Sequence, residues 1–272
     1  MKKGKKIIIG IIVALLVVVL VGYIYLFTGS KIKNVSNDVI KGEEGTKSLV
    51  IYFTRQGEIP GNVDAVSSAT QNSNEGMDGS DTEATARMIQ SLTGADLYQI
   101  YTEHYYRKSF AGTAATAWIE EQLNLRPKLA AKPDNLDDYD TIYVGYPIWW
   151  FNAPMAIGSF LESYDLSGKT IVPFCTSQDN DISVSMDYIK EVASGANVLD
   201  GYRIHGADVD DVKEWLQRIG VLNDNNTENQ NAEGSLEMKT KKSDKNYESA
   251  TIPDELEYIP DGYEAPADQQ GS

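Results

Sequence analysis

"LDDYDTIYVGYPIWWFNAPMAIGSFLESYDLSGKTIVPFCTS", Leu136–Ser177, decides the fold. Within it "DTIYVGY" is an apolar run of strand length, too continuous for a strand with one wet face. "APMAIGSFLESY" changes the period, placing Ile157, Phe160, Leu161 and Tyr164 on one side of a helix. "KTIVPFCT" is a second buried strand. Strand, helix, strand with short joints is a βαβ unit, which demands parallel strands covered by helices. The first joint, "YPIWWFNAP", holds two adjacent tryptophans behind a proline. Tryptophan is costly to expose and too large to bury casually, so the pair points to a flat partner beyond the strand end.

The alternation continues on both sides. "SLVIYFT" is a short apolar strand. "DTEATARMIQSL" carries Ala84, Met88 and Leu92 at helical spacing, with Ser80 and Glu83 set as a capping box. "ADLYQI" reads as a strand, "ATAWIEEQLNL" as a helix and "DISVSMDYIKEVA" as another. "NVLDGYRIHG" holds the fifth strand, and "DVDDVKEWLQRIG" closes with Val209, Val212, Leu216 and Ile219 on one face. Five strands alternating with five helices predict an α/β, doubly wound parallel sheet over 47–220.

The flanks are of another kind. Lys2, Lys3, Lys5 and Lys6 precede an uninterrupted apolar run from Ile7 to Phe27. At about 1.5 Å per residue the run spans about 30 Å, the hydrocarbon thickness of a bilayer. No acidic residue occurs before Asp38, so the lysines are expected to stay cytoplasmic and the folded domain to lie outside. The run is long for a cleaved signal and no A-x-A site follows, which favours a retained membrane anchor over 1–28. Residues 29–46 read as a polar spacer. From Val221 onward the chain is rich in Asn, Glu, Asp, Lys and Pro without periodicity, and 221–272 reads as an acidic disordered tail.

The net charge of −16 excludes the basic footprint a nucleic-acid binder needs. A single cysteine, Cys175, excludes an internal disulfide and reads as a small buried hydrophobe. His104 and His205 are separate in sequence and suggest no zinc site. Neither G-x-x-x-x-G-K-[ST] nor G-x-G-x-x-G occurs, against nucleotide hydrolysis or a separate NAD domain.

In open parallel sheets ligands sit beyond the carboxyl ends of the strands. Three loops reach that edge here: "TRQGE…GSDTE", "YPIWWFNAP" and "TSQDND". The first offers hydroxyls and N–H groups at a helix start, suited to a phosphate; the second offers flat aromatic surface; the third a polar rim. Phosphate, ring and rim together describe a site for flavin mononucleotide (FMN).

"SLVIYFTRQG", the 42 residues quoted first and "GANVLDGYRIHG" resemble the flavodoxin family, in particular its membrane-attached or secreted bacterial branch. The resemblance implies a five-stranded sheet of order 2-1-3-4-5 and bound FMN cycling through one- and two-electron states. By position it implies a phosphate site at Thr54, Arg55, Gln56 and Thr82, a ring site at Pro147, Ile148, Trp149 and Trp150, and a rim at Thr176 and Ser177. It departs from the family's compact T-x-T-G-N-T loop, because 27 residues run from Arg55 to Asp81 and Ser80, Asp81 and Thr82 stand where Gly-Asn-Thr is usual. Phe151 replaces a glycine after the tryptophans, and Gln178, Asp179 and Asn180 replace a Gly-rich turn. Within the long loop "DAVSSAT", Asp64–Thr70, resembles the D-x-x-S/T-G/S-A-T signature of a different family, which accepts FMN as a phosphoester on its threonine. Thr70 is therefore a candidate covalent flavin site.

Three functions remain open on this reading. The favoured one is an FMN-dependent electron-transfer protein tethered to the outer face of the cell membrane, whose partner is a redox protein or small electron acceptor. The second is a reductase using NAD(P)H or a quinone. The third is a binding module that keeps the fold without the cofactor.

Overall fold

The run Leu49–Phe53 is buried on both sides, so its strand has to lie between two layers. In the computed structural model of the chain it is β1 (Ser48–Phe53), at the middle of a parallel sheet. The structure describes residues 2–27, 31–33, 35–55, 80–107, 109–177, 179–204 and 209–222. The expectations for Gln56, Thr70 and His205, and all but the first two residues of the tail, lie outside the described residues.

After α1 (Lys2–Phe27) and β1 come α2 (Asp81–Thr93), β2 (Asp96–Ile100), α3 (Phe110–Gln122), β3 (Thr141–Pro147), α4 (Met155–Leu161), β4 (Thr170–Thr176), α5 (Ser183–Val192), β5 (Asn197–Val198), β6 (Tyr202–Ile204) and α6 (Val209–Arg218). The strand order is β2-β1-β3-β4-β5, with β6 also on β4, which is the expected doubly wound topology.

The period of two along the strands divides the core. Leu49, Ile51 and Phe53 join Ile142, Val144 and Tyr146 under α4 and α5. Val50 and Tyr52 join Tyr143, Val172 and Phe174 under α2 and α6. Cys175 is fully buried in the first cluster, and burial pushes its thiol up to about 12, so it packs as an inert hydrophobe.

Ser80 caps α2 as its spacing implies, its hydroxyl accepting from the Glu83 N–H at 3.2 Å. Gly94 ends that helix in the left-handed conformation, φ 65°. Three expectations need correction. α3 starts at Phe110, five residues before "ATAWIEEQLNL", because Ser109 caps it by accepting from Gly112 N–H at 3.2 Å. In α6 it is Trp215, with Val212 and Leu216, that fills the core, while Val209 is exposed.

The fifth strand is two pieces. Ile171 pairs with Val198 and Phe174 with Tyr202, so the outer strand spends one residue more than β4 over the same span. The extra residue is a bulge opposite Val172 and Pro173. Pro173 has no N–H to give, and a ladder is easily interrupted there.

Ile40–Gly42 lie along the outer edge of β2. Ile40 exchanges two backbone hydrogen bonds with Leu97, both 2.8 Å. Asp96 accepts from Lys41 Nζ and Gly42 N–H, each at 2.8 Å, and from the Tyr139 hydroxyl. Ile32 N–H donates to Glu103 O at 3.0 Å. Ile40–Gly42 therefore cover the start of an edge strand that would otherwise present unpaired backbone groups.

Candidate functional site

β1, β3 and β4 run parallel, so the loops that follow them emerge at one edge of the sheet. Pro147 pairs with Thr176 at that edge, and Ile148 N–H donates to Thr176 O at 3.2 Å. Hydroxyls gather between the strand ends and the start of α2. Thr54 Oγ1 donates to Ser80 Oγ at 2.7 Å, and Thr82 Oγ1 lies 2.7 Å from Thr176 Oγ1. All four side chains are buried. The expected phosphate residues Thr54 and Thr82 and the expected rim residue Thr176 thus form one polar seam.

Arg55 is buried beside this seam, with Nη2 donating to Arg107 O at 3.0 Å. Ser177 follows Thr176, its hydroxyl accepting from Asn180 N–H at 2.9 Å and its N–H donating to Ile204 O at 3.4 Å. Guanidinium, hydroxyls and the N–H groups of a helix start form a donor set suited to a phosphate dianion. The Asp81 carboxylate is the one member with the wrong sign.

The two tryptophans diverge. Trp149 packs edge-on against Phe53 and Tyr106, ring centroids 5.4 and 5.1 Å away. Trp149 and Asn152 exchange backbone hydrogen bonds of 2.9 and 3.0 Å across a tight turn. Trp150 and Phe151, at its corners, take positive φ of 49° and 61°. That conformation costs an L-residue about 1–2 kcal/mol and usually selects glycine or asparagine. Trp150 is held to it by its indole Nε1–H, which donates to Ala114 O of α3 at 2.8 Å. The two adjacent tryptophans thus take different surroundings, Trp149 against Phe53 and Tyr106 and Trp150 against α3.

Sequence reasoning missed Glu120. It follows Thr113, Thr116 and Ala117 on the buried stripe of α3, and a carboxylate at that spacing was the available signal. Its Oε2 accepts from the Tyr106 hydroxyl at 2.8 Å. Burial pushes the Glu120 carboxyl up to about 7, against the lowering effect of that hydrogen bond. Tyr106 thus joins Trp149 to a titratable group. Tyr106, Glu120, His104, Tyr23, Phe27 and Arg126 line a cavity of about 300 Å³, on the α3 side rather than at the polar seam. Among the described residues no His, Cys, Asp and Glu cluster has metal-binding geometry.

The family model described as Flavodoxin matches residues 76–219. A crystal structure from Bacteroides uniformis, named provisionally as a flavoprotein, is 30% identical over 64% of this chain and 99% of its own, with a TM-score of 0.51. A similarly named structure from Bacteroides eggerthii is 28% identical over 64% of this chain and 98% of its own, with a TM-score of 0.52. A Lactobacillus acidophilus flavoprotein, solved in complex with FMN, is 19% identical over 62% of this chain and 98% of its own, with a TM-score of 0.46. No curated protein matches.

Proposed function

The chain belongs to the flavodoxin family, and from that membership we propose that it binds FMN at the carboxyl edge of the sheet and transfers electrons. The observation that carries this reading is the polar seam of Thr54, Ser80, Thr82 and Thr176 at the strand ends, with Trp149 at the neighbouring turn. When bound, the flavin takes up and releases electrons one or two at a time.

In this reading Thr54, Arg55, Gln56 and Thr82 hold the phosphate. Pro147, Ile148, Trp149 and Trp150 bound the ring, and Thr176 and Ser177 hold its polar rim. The helix start of α2 supplies oriented N–H groups, while Asp81 opposes the phosphate charge and weakens its binding. The acidic chain disfavours added negative charge on the ring and so lowers its potential.

The same proposal makes α1 a retained anchor and the folded domain extracytoplasmic. α1 is long and apolar enough to cross a membrane, and no residue of Ile7–Ile24 is buried. The lysines before it and the absence of acidic residues before Asp38 support the orientation. The chain then divides into the anchor (1–28), spacer (29–46), flavodoxin-like domain (47–220, with the long loop 55–81) and acidic tail (221–272). Its partner is a redox protein or small electron acceptor.

An absorbance spectrum of the full chain, before and after acid precipitation, tests the reading. Flavin absorbance released into the supernatant is the expected result. Flavin that stays with the pellet assigns it to Thr70 as a phosphoester. A colourless chain that also ignores added FMN leaves a binding module.

A further inference from the structure

Phe27 ends α1 and the chain is held again at Lys31, four peptide steps later. Four steps reach about 14 Å at most. Lys31 forms an antiparallel bridge with His104, and its ammonium lies 2.7 Å from Glu103 Oε1. Glu103 and His104 follow the carboxyl end of β2, the end from which the Trp149–Asn152 turn leaves β3. Tyr23 and Phe27 line the same cavity as Thr116 and Glu120 of α3. The anchor therefore meets the domain at the cofactor edge, beside α3.

That is where large apolar side chains are left uncovered. Trp118 is 48% exposed, Trp150 47% and Phe151 62%, and Phe110 and Leu123 of α3 are exposed as well. The Trp150 indole bonds Ala114 O, one turn before Trp118, so turn and helix present one continuous surface. Contiguous exposed aromatic surface marks an interaction site, and Trp with one apolar and one wet side suits the headgroup region of a bilayer. Lys31 and Lys128 present exposed ammonium groups where the anchor joins the domain, both on Glu103. They lower the repulsion an acidic chain meets at an anionic lipid surface.

We infer that the surface formed by α3 and the Trp149–Asn152 turn rests on the membrane, with Trp118 and Trp150 at headgroup depth and the cofactor edge turned toward lipid. This rests on the anchored reading of α1. The short connection permits no distant position, and the Trp149–Asn152 turn lies at the sheet edge to which it leads. An electron acceptor would then reach the site along the membrane plane.

The full chain reconstituted in phosphatidylcholine vesicles with a minority of phosphatidylglycerol provides the test, using phospholipid brominated near the headgroup. Bromine quenches tryptophan emission on contact, and the chain's four tryptophans all lie in the domain, none in α1. The expected result is quenched emission in the wild type and loss of most of that quenching in the Trp118→Phe/Trp150→Phe variant, which keeps Trp149 and Trp215. A chain that survives alkaline washing of the vesicles yet shows no quenching overturns the surface placement and leaves the anchor standing. Equal quenching in the double variant does the same. A chain that washes off overturns the anchor and the placement together.

Discussion

Thr82 of α2 and Thr176 of β4 meet through their hydroxyl oxygens, 2.7 Å apart and fully buried, 94 residues apart in sequence. The contact joins the start of a helix to the end of a strand across the sheet's carboxyl edge. A buried hydroxyl pair of this kind is self-satisfied, and either hydroxyl can turn outward to a ligand oxygen. It is therefore a structural tie that also sets two hydroxyls at the edge proposed for the cofactor.

Thr82→Val keeps the shape and removes the hydroxyl, leaving Thr176 without that partner. The expected cost is about 1–3 kcal/mol of stability. If the hydroxyl also serves the phosphate, FMN affinity falls about tenfold, equivalent to about 1.4 kcal/mol. Urea unfolding and flavin titration of the same variant separate the two effects.

Glu120 gives a pH dependence with a definite sign. Burial raises its carboxyl from 4.5 to about 7, so the folded chain keeps a proton there that the unfolded chain has released. Its contribution to stability is full below pH 4.5 and is lost as pH rises through about 7. The loss is about 3 kcal/mol at most. Glu120→Gln still accepts from Tyr106 but cannot ionise. Its melting temperature should match the wild type in acid and exceed it above neutrality. Parallel curves for the two proteins across the whole range would refute the assignment.

Asp96 carries the opposite sign. Burial disfavours its charge, but hydrogen bonds from Lys41, Tyr139 and Gly42 N–H together outweigh that and hold the carboxyl below its usual range. Its contribution is present above the ordinary carboxylate value and lost as pH falls through the depressed one. Asp96→Asn should cost about 1–3 kcal/mol. It should also speed amide exchange at Ile40 and Leu97, which the same contacts hold together.

Phe151 sits at φ 61°, where glycine is free of the penalty that a side chain meets. Phe151→Gly is expected to stabilise the fold by about 1 kcal/mol. Phe151→Val, branched at Cβ, should destabilise it by a similar amount. A melting series of the three proteins checks the order Gly above Phe above Val.

Local signals were the legible ones. The run Thr141–Thr176 carries its strand, helix and strand in its own periodicity, and Ser80 with Glu83 announces the start of α2. What could not be read depends on neighbours distant in the chain. The break between β5 and β6 lies opposite Pro173 of another strand. Ile40 and Lys41 look like spacer residues until β2 supplies Leu97 and Asp96. The separation of Trp149 from Trp150 needs Ala114 O on α3, and nothing in "PIWWFN" names it. At the candidate site, the sequence points to Thr54, Thr82 and Thr176 as ligand residues, but their mutual contacts and the part taken by Ser80 emerge only from the packed edge.

The central claim is that FMN binds at this edge, and titrating FMN into the cofactor-free full chain in detergent tests it most directly. Quenching of flavin fluorescence that saturates at about micromolar concentration, and is weakened about tenfold in Thr82→Val, is the predicted result. Flavin emission that never changes as protein is added, or the same saturation in wild type and variant, would contradict it.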